Sequence, residues 1–249
     1  MASIAKIVLG CPAKCPRCGD GIKKGVGYWW CTACRRKWRP KAATWLKGSK
    51  LTDNQINLLL LSWQQSVSPG AVKKLTGLSY TTIERWYSRF RVQLPVDRNQ
   101  LKGIVEVDEA FFGRLRHRNQ RIVMGAIERK TRRIKLAVIP DREQDSLEGF
   151  LHQHVHPETM LHTDCWSSYY DLEWYGYGHQ LHNHSRGHFK DTNQIESVWS
   201  VTKRRIRRMY GQINTEKLPE FLQEWEARNN FPQLFNSPET YLAACLVPH

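Results

Sequence analysis

Three carboxylates lie in segments where the sequence predicts two strands and a helix. Asp108 is inside "GIVEVDEAFFGRL", which alternates apolar and polar residues as a strand does, and Asp164 ends the strand-like "TMLHTD". Glu196 is near the start of "NQIESVWSVTKRRIRRMYG", a helical pattern with a dense basic face. Mg²⁺ prefers oxygen ligands, and two such ions about 4 Å apart can promote phosphoryl transfer. The pattern therefore predicts metal-dependent phosphoryl transfer, provided that the fold brings the three side chains together.

The order of the predicted elements determines whether these side chains can meet. "RIVMGAIER" and "RRIKLAVIP" follow the Asp108 strand, so the first three strands are predicted to form an antiparallel meander. A helix capped by Asp145 or Ser146 then leads to the Asp164 strand, which is expected to add in parallel orientation. This order predicts an RNase H-like α/β domain at 103–231, in which the three carboxylates converge. The core residues predicted on its two helices are Leu147, Phe150, Leu151, Val155, Ile195, Val198 and Met209.

The N-terminal part of the chain carries four cysteines with metal-ligand spacing. They form two C-x-x-C motifs, Cys15 with Cys18 and Cys31 with Cys34. Two such motifs close a tetrahedron around Zn²⁺ with Zn–S bonds of about 2.3 Å. The spacing predicts a zinc ribbon at 11–38 with one structural Zn²⁺, because four thiolates leave the metal no open position. A redox dithiol is the alternative, and Cys11 is a less well-spaced substitute for Cys15.

Residues 51–92 show helical periodicity. Thr52 and Gln55 are predicted to form a capping box for a first helix, whose apolar face contains Ile56, Leu59, Leu60 and Trp63. Proline at position 95 then interrupts the pattern, so "QLPVDRNQLK" is predicted to connect this region to the next domain. The chain ends in a short tail rich in Pro and Asn.

The segment "SPGAVKKLTGLSYTTIERWYSRFRVQL" is typical of a helix-turn-helix. Ser68 and Pro69 would start a short helix, "TGL" would make the turn, and Ser79 would cap a second helix. Ile83, Tyr87 and Phe90 are predicted to pack inward from the second helix. The residues predicted to face outward and contact DNA are Tyr80, Thr81, Thr82, Arg85, Trp86 and Arg89. An ordinary helical hairpin is the alternative interpretation.

The charge of the chain indicates its kind of partner. Lysine and arginine number 38 against 23 acidic residues, which gives a net charge of +15. The excess is concentrated in Arg-rich helices that also contain aromatic residues, and this favours nucleic acid as the partner. The sequence has no run of about 18 apolar residues, so no membrane span is expected, and the N-terminus lacks signal-peptide features. Cytoplasmic localisation is therefore expected, with nucleoid association in a prokaryote or nuclear localisation in a eukaryote.

Four segments carry a resemblance to a known family: "VEVDEAFFG", "HTDCWSSY", "NHS" and "TNQIESVWSVTKR". They resemble the catalytic signatures of the Merlin superfamily of DDE transposases and its bacterial insertion-sequence relatives. The resemblance implies a zinc ribbon, a helical DNA-binding region and an integrase-like catalytic domain. It also implies that Asp108, Asp164 and Glu196 are a DDE triad that holds two Mg²⁺ or Mn²⁺ ions. Asn193 matches the asparagine of the family, and Lys203 matches a basic residue that contacts the ends of the element.

The function implied by the resemblance is DNA transposition. Such a protein binds the terminal inverted repeats of its element, cuts the strands and joins them to target DNA, acting as a homodimer or larger assembly on double-stranded DNA. The basic tract on the Glu196 helix is interpreted as a phosphate-binding surface made of Lys203, Arg204, Arg207 and Arg208. Two alternatives stay open: a catalytically retired zinc-ribbon and helix-turn-helix regulator, and a metal-dependent structure-selective nuclease with the same fold.

Several residues near the carboxylates invite other interpretations. Glu106 shares a strand face with Asp108 by parity, so a supporting role is open to it, and Cys165 is interpreted as a packed thiol. A metal or nuclease role is the less favoured interpretation of the histidines at 179, 182, 184 and 188. Trp174, Tyr175 and Tyr177 are expected to pack, and stacking on a flipped base is the alternative.

Overall fold

The computed structural model describes residues 14–15, 17–25, 28–38, 44–114, 119–164, 172–182 and 193–246, with only the backbone of Trp38, Asp164, Leu181 and His182. The chain divides into two compact units. One contains Met1–Gln93 together with Pro232–His249, and the other contains Leu94–Phe231. Among the described residues, no helix is both long enough and apolar enough to cross a membrane.

The described part of the first unit contains a small antiparallel sheet of three strands. These are β1 (Ile22–Gly25), β2 (Tyr28–Cys31) and β3 (Lys37–Trp38), in the order β1-β2-β3. The alternation of strand side chains buries Trp29 and Cys31 on one face of β2. Cys31, one of the four predicted zinc ligands, therefore lies on the buried face of this sheet.

Among the described residues of this unit there are four α-helices: α1 (Asp53–Gln64), α2 (Pro69–Thr76), α3 (Tyr80–Val92) and, near the C-terminus, α7 (Pro238–Cys245). The predicted caps are confirmed, since Thr52 and Gln55 form a capping box and the Ser68 and Ser79 hydroxyls each accept a backbone N–H. Gly77 ends α2 with φ 71°, a left-handed conformation that glycine adopts without strain. The predicted inward residues of α1 and α3 are buried: Ile56, Leu59, Leu60, Trp63, Ile83, Tyr87 and Phe90.

The C-terminal segment, which the sequence predicts to be a short tail, packs against these helices. The Tyr241 hydroxyl donates to the Phe90 carbonyl at 2.7 Å, and the Gln64 Nε2 amide donates to the carbonyls of Leu234 and Ser237 at 2.9 Å. Trp63 also packs edge-on against Tyr241, with ring centroids 5.5 Å apart. The sequence pattern missed this role because the apolar face of a two-turn helix is too short to identify a distant partner.

The second unit is built on a five-stranded mixed sheet. The strands and α-helices among its described residues are, in chain order, β4 (Ile104–Phe112), β5 (Arg121–Glu128), β6 (Ile134–Ile139), α4 (Gln144–His154), β7 (Met160–Asp164), β8 (Gly178–His182), α5 (Asn193–Tyr210) and α6 (Leu218–Asn230). The strand order is β6-β5-β4-β7-β8. β4 pairs antiparallel with β5 and parallel with β7, so the predicted meander and parallel crossover are confirmed.

The two faces of β4 have different environments. Val105 and Val107 point into an apolar core that also contains Leu147, Leu151 and Leu161, while Glu106 and Asp108 point to the side of α5. The remaining predicted helix residues are also buried: Phe150, Val155, Ile195, Val198 and Met209. The predicted cap of α4 is wrong, because the helix begins at Gln144 and its N-cap residue, Glu143, makes no side-chain cap bond.

The segment predicted to be a connector is packed onto this sheet. Leu101 is in the core and pairs with Val155, and Asp97 accepts hydrogen bonds from Arg133 and Asn230 at 2.8 and 3.1 Å. Burial acts to raise the pKa of Asp97, but the hydrogen bond from Arg133, the Asn99 N–H and the charge of Lys135 outweigh it and lower the pKa. The compact unit that contains this sheet runs from Leu94 to Phe231.

Candidate active site and cysteine cluster

The strand register brings Asp108 and Asp164 to the same level of the sheet. β4 and β7 run parallel, with Val105 opposite Leu161 and Glu106 opposite His162. Two residues further along both strands are Asp108 and Asp164. Asp164 is the last residue of β7, as predicted. The backbone thus places the two aspartates on adjacent strands, as the predicted fold requires, and the Asp164 side chain is outside the described residues.

Asp108 is held by an indole group of α5. The Trp199 Nε1–H donates to Asp108 Oδ2 at 2.9 Å. The ring of Trp199 lies over Gly125, which is the residue opposite Asp108 on β5, and a Cβ at that position would come within 2.4 Å of the ring. Glycine at 125 therefore lets α5 approach the sheet closely enough for this hydrogen bond to form.

Glu106 ties the start of α5 to the same strand. Its side chain is 0% exposed, and Oε2 accepts the backbone N–H groups of Gln194 and Ile195 at 2.9 and 3.0 Å. Oε1 forms a 2.8 Å ion pair with Arg129. A carboxylate at a helix N-terminus satisfies donors that have no partner within the helix and interacts favourably with the helix dipole. Strand parity left a supporting role open to Glu106. These bonds show that role: Glu106 holds the first turn of α5 on β4.

Glu196 lies on the first turn of α5 between these two attachments. Gln194 and Ile195 are bound to Glu106, and Trp199, one turn after Glu196, is bound to Asp108. The Glu196 side chain is exposed, as is that of Asn193, the first residue of the helix. Residues i and i+3 share a helix face, so Glu196 lies on the same side of α5 as Trp199, which contacts Asp108 of β4.

The predicted basic surface of α5 is exposed. Lys203, Arg204, Arg207 and Arg208 are all accessible to solvent. The Lys203 ammonium lies 5.5 Å from the ring centroid of Phe112, at the end of β4. Arg205, by contrast, lies over the Trp225 ring at 5.2 Å and pairs with Glu224 at 3.8 Å. The exposed and the packed arginines therefore separate onto different faces of one helix.

The other residues that were considered for this site bind structural partners, lie far from the two aspartates or are outside the described residues. Glu109 pairs with Arg142 on the opposite face of β4, and His179 Nε2 is 2.8 Å from Thr163 Oγ1. Tyr177 is buried, which confirms packing. Trp174 is 89% exposed, so the packing expected of it is wrong, and Tyr175 is 48% exposed. Their turn precedes β8, at the opposite end of the strand from the Asp164–His182 pair. Cys165, His184 and His188 lie outside the described residues.

Replacing Trp199 with Phe would remove the indole hydrogen bond. The phenyl ring cannot donate to Asp108, and it lacks the Cη2 and Cζ2 atoms that lie over Gly125, so we expect a loss of about 2 kcal/mol in stability. For the metal-dependent DNA cleavage expected from the sequence, the Mg²⁺ concentration for half-maximal cleavage should rise about tenfold, because groups that orient metal ligands typically change affinity by that factor. The measurement is a Mg²⁺ titration of cleavage rate.

Trp225→Phe is the matched control for this substitution. Trp225 is a buried tryptophan of α6, and its Nε1 has no hydrogen-bond partner among the described residues. Its replacement therefore changes ring size without removing a hydrogen bond. An unchanged Mg²⁺ titration in Trp199→Phe would show that the indole does not orient Asp108.

The four predicted zinc ligands lie together in the first unit. Their Sγ atoms all lie within 4.8 Å of one another, with Cys15 and Cys34 at 3.7 Å and Cys18 and Cys31 at 3.5 Å. A tetrahedron with Zn–S bonds of about 2.3 Å has S–S edges of about 3.8 Å, so the cluster fits a tetrahedral metal. Burial acts to raise the pKa of Cys15, but backbone N–H groups of Cys18 and Arg17 lower it to about 7. Cys11 lies outside the described residues.

The predicted DNA-facing residues of α3 divide into two groups. Tyr80, Thr81 and Arg85 are exposed, and Thr82 is half-buried. The outward placement of Trp86 is wrong, because its side chain is 5% exposed and packs against Trp45 and Phe90 with ring centroids 6.3 and 5.7 Å away. Arg89 is half-buried, stacks over Trp86 at 4.6 Å and donates to the Trp45 carbonyl.

Comparison with known families identifies the sheet unit. Residues 100–230, just over half of the 249 residues, match the model of the ISXO2-like transposase domain. The chain belongs to this family. The match confirms the resemblance to DDE transposases of insertion-sequence type and covers β4 through α6, including all three candidate carboxylates.

Further comparisons add less to this assignment. A chain of the simian T-cell lymphotropic virus intasome, solved by cryo-EM in complex with PP2A regulatory subunit B56 gamma, is 10% identical to the ISXO2-like protein. The match covers 69% of this chain and 64% of the viral one, with a TM-score of 0.38. The chain thus spans less than two thirds of that neighbour. No curated protein matches the sequence.

Proposed function

We propose that this ISXO2-like transposase binds the ends of its element and catalyses strand cleavage and strand transfer with Asp108, Asp164 and Glu196. The observation that carries the proposal is the attachment of α5 to β4. Glu106 binds the first turn of the helix and Trp199 binds Asp108, so the turn that contains Glu196 is positioned beside Asp108. The register of β4 and β7 supports the addition of Asp164 to the same group.

The carboxylates suit a hard divalent cation. Three carboxylates supply oxygen ligands and leave positions for water, which is how Mg²⁺ and Mn²⁺ are usually bound. Trp199 orients the Asp108 carboxylate by donating to Oδ2, and this carboxylate would be one of the ligands. Bound divalent ions, two per site, would lower the pKa of the attacking hydroxyl and stabilise charge on the leaving oxygen. The role of the protein is to hold the ligands and the DNA in line.

The exposed cations of α5 would position the DNA. Lys203 lies two turns after Glu196, which places both on one helix face, and it would contact the terminal nucleotides. Arg204, Arg207 and Arg208 would bind phosphates further along the helix, and Asn193 would contact DNA near the start of the helix. Phosphate contacts of this kind set the register of the DNA without reading its sequence.

Recognition of the ends would belong to the first unit. With one structural Zn²⁺ on the four cysteines, the ribbon and the α2–α3 pair would form a two-part grip on double-stranded DNA. In the helix-turn-helix interpretation, Tyr80, Thr81, Thr82 and Arg85 enter the major groove. Trp86 and Arg89 would not contact DNA and would instead anchor α3 to the core of the first unit. Pairing of two ends, and capture of target DNA, requires at least two copies of the chain.

The experiment that tests the proposal uses labelled DNA with the sequences that flank the gene. Purified protein would be assayed for cleavage and joining with Mg²⁺ or Mn²⁺, with wild type beside Glu196→Gln. We expect joined products that depend on the metal and are lost in the variant. Cleavage without joining would favour a nuclease of the same fold, and tight binding without cleavage would favour a retired DNA-binding regulator.

A further inference from the structure

One face of the ribbon sheet carries an exposed tryptophan between two lysines. In the strand register Lys23 on β1 lies opposite Trp30 on β2, and Trp30 lies opposite Lys37 on β3. The three residues therefore form a row across the sheet. Trp30 is 37% exposed and both lysines are exposed, whereas Trp29 and Cys31 occupy the buried face.

Tyr28 contacts Lys37, the lysine at one end of this row, with its ring. It lies on the same face as Trp30, two residues away, and a Cβ at Gly25 would come within 2.6 Å of its ring, so the ring lies against the Gly25 backbone. The Lys37 ammonium is 4.8 Å from the centroid of the same ring. A cation over an aromatic face is held without losing its charge, so Lys37 is positioned beside Trp30 and can still bind an anion.

The charge of the ribbon specifies a polyanion. Between Lys14 and Trp38 the sequence has seven basic residues and a single acid, Asp20. Opposed residues on neighbouring strands are about 5 Å apart, so the two lysine backbones flank Trp30 at a separation of about 10 Å. Two cations on either side of an exposed aromatic ring repel each other, and phosphates on both sides of a stacked base would remove that repulsion.

We propose that the row of Lys23, Trp30 and Lys37 binds an unpaired DNA strand. One base stacks on Trp30, and the phosphates on its two sides contact the lysines. Duplex bases stack on one another and do not offer a free face to Trp30, so the face selects single-stranded over duplex DNA. The inference rests on the proposed function only in taking DNA as the partner, and strand cleavage generates such unpaired ends.

The test measures affinity for DNA without added Mg²⁺, using the full-length, zinc-loaded protein. Fluorescence anisotropy would compare a labelled single strand of about 16 nucleotides with the blunt duplex of the same sequence. We expect Trp30→Ala to lower affinity for the single strand about fivefold or more, from the loss of one stacked base, and to leave duplex affinity within about twofold. Trp30→Phe should retain most of the affinity because it keeps an aromatic face.

Two further variants separate stacking from charge. Trp174→Ala removes a tryptophan that is 89% exposed on the other unit, and it should leave single-strand affinity unchanged. Replacing Lys23 and Lys37 with Gln should reduce the slope of log affinity against log salt by about 1.4, or 0.7 per phosphate on a single strand. Trp30→Ala should leave that slope unchanged.

Two results would overturn the inference. One is wild-type single-strand affinity in Trp30→Ala, and the other is an equal loss of single-strand and duplex affinity. Zinc content would be measured for each variant. If Trp30→Ala lost zinc, the variant with Gln at Lys23 and Lys37 would decide, and an unchanged salt slope in that variant would overturn the inference. Because binding is measured without Mg²⁺, a protein that binds single strands but never cuts or joins would support this inference while contradicting the proposed function.

Discussion

Asp108→Asn is expected to reduce strand cleavage and joining by at least about 10³-fold while leaving affinity for the element ends within about twofold. Asparagine has nearly the shape of aspartate but no charge, so it cannot balance a divalent cation beside the reacting phosphate. The acceptor for the Trp199 indole is retained as the amide oxygen, so α5 should remain in place. The measurement is a single-turnover assay of cleavage and joining, with end binding measured separately.

The control for Asp108→Asn is Asp145→Asn. Asp145 is an exposed acid on α4, in the same unit but on the other side of the sheet, and its variant should cut and join at the wild-type rate. An Asp108→Asn protein that still joins DNA would defeat the assignment of the active site. A loss of both binding and joining would indicate damage to the fold instead of removal of a metal ligand.

Glu106→Ala is expected to lower the free energy of unfolding of the Leu94–Phe231 unit by about 3 kcal/mol. The substitution removes the buried carboxylate that binds Arg129 and the N–H groups of Gln194 and Ile195, in a region where Glu106 itself is 0% exposed. The first turn of α5 should fray, which would move Glu196 and reduce joining in the molecules that remain folded. Denaturant unfolding followed by circular dichroism measures the first effect.

Two comparisons separate the cap from the ion pair. Glu106→Gln keeps one oxygen for the helix N–H groups but places an amide donor against Arg129, so its cost should fall between those of wild type and Glu106→Ala. Arg129→Met leaves the cap intact and should cost less than Glu106→Ala. Glu173→Gln, a change of an exposed acid, should have no effect on unfolding. A Glu106→Ala protein within about 1 kcal/mol of wild type would show that Glu106 does not hold α5.

Local patterns in the sequence were sufficient to predict most of the strands and helices of the Leu94–Phe231 unit. Alternation of apolar and polar residues from Val105 to Asp108 predicted β4, and the period of 3.6 residues predicted the buried faces of α4 and α5. The order of elements then restricted the topology, because a strand that follows a crossover helix adds in parallel. The cysteine spacing likewise predicted a cluster whose sulfur atoms are close enough to share one metal.

Side-chain partners across long sequence separations were not predictable in this way. Trp86 was assigned to the outer face of α3 by its helical phase, but Trp45 and Phe90 bury it, and no local pattern identifies Trp45 as its neighbour. Asp97 follows Pro95 in a segment that looks like a linker, yet Arg133 and Asn230, far along the chain, bind its carboxylate. The packing of Tyr241 against Phe90 has the same origin.

The sequence by itself determined the residue types and the spacing that metal-dependent phosphoryl transfer requires: acids on a strand, at a strand end and on a helix, with four cysteines in paired motifs. Only the tertiary structure decided how the acid-bearing elements are held together. Glu106 on the strand binds the first turn of the helix, Trp199 on the helix binds Asp108, and Gly125 leaves room for the indole ring. The physical reason is that periodicity depends on neighbours a few residues away, whereas a buried hydrogen bond depends on where two distant segments meet.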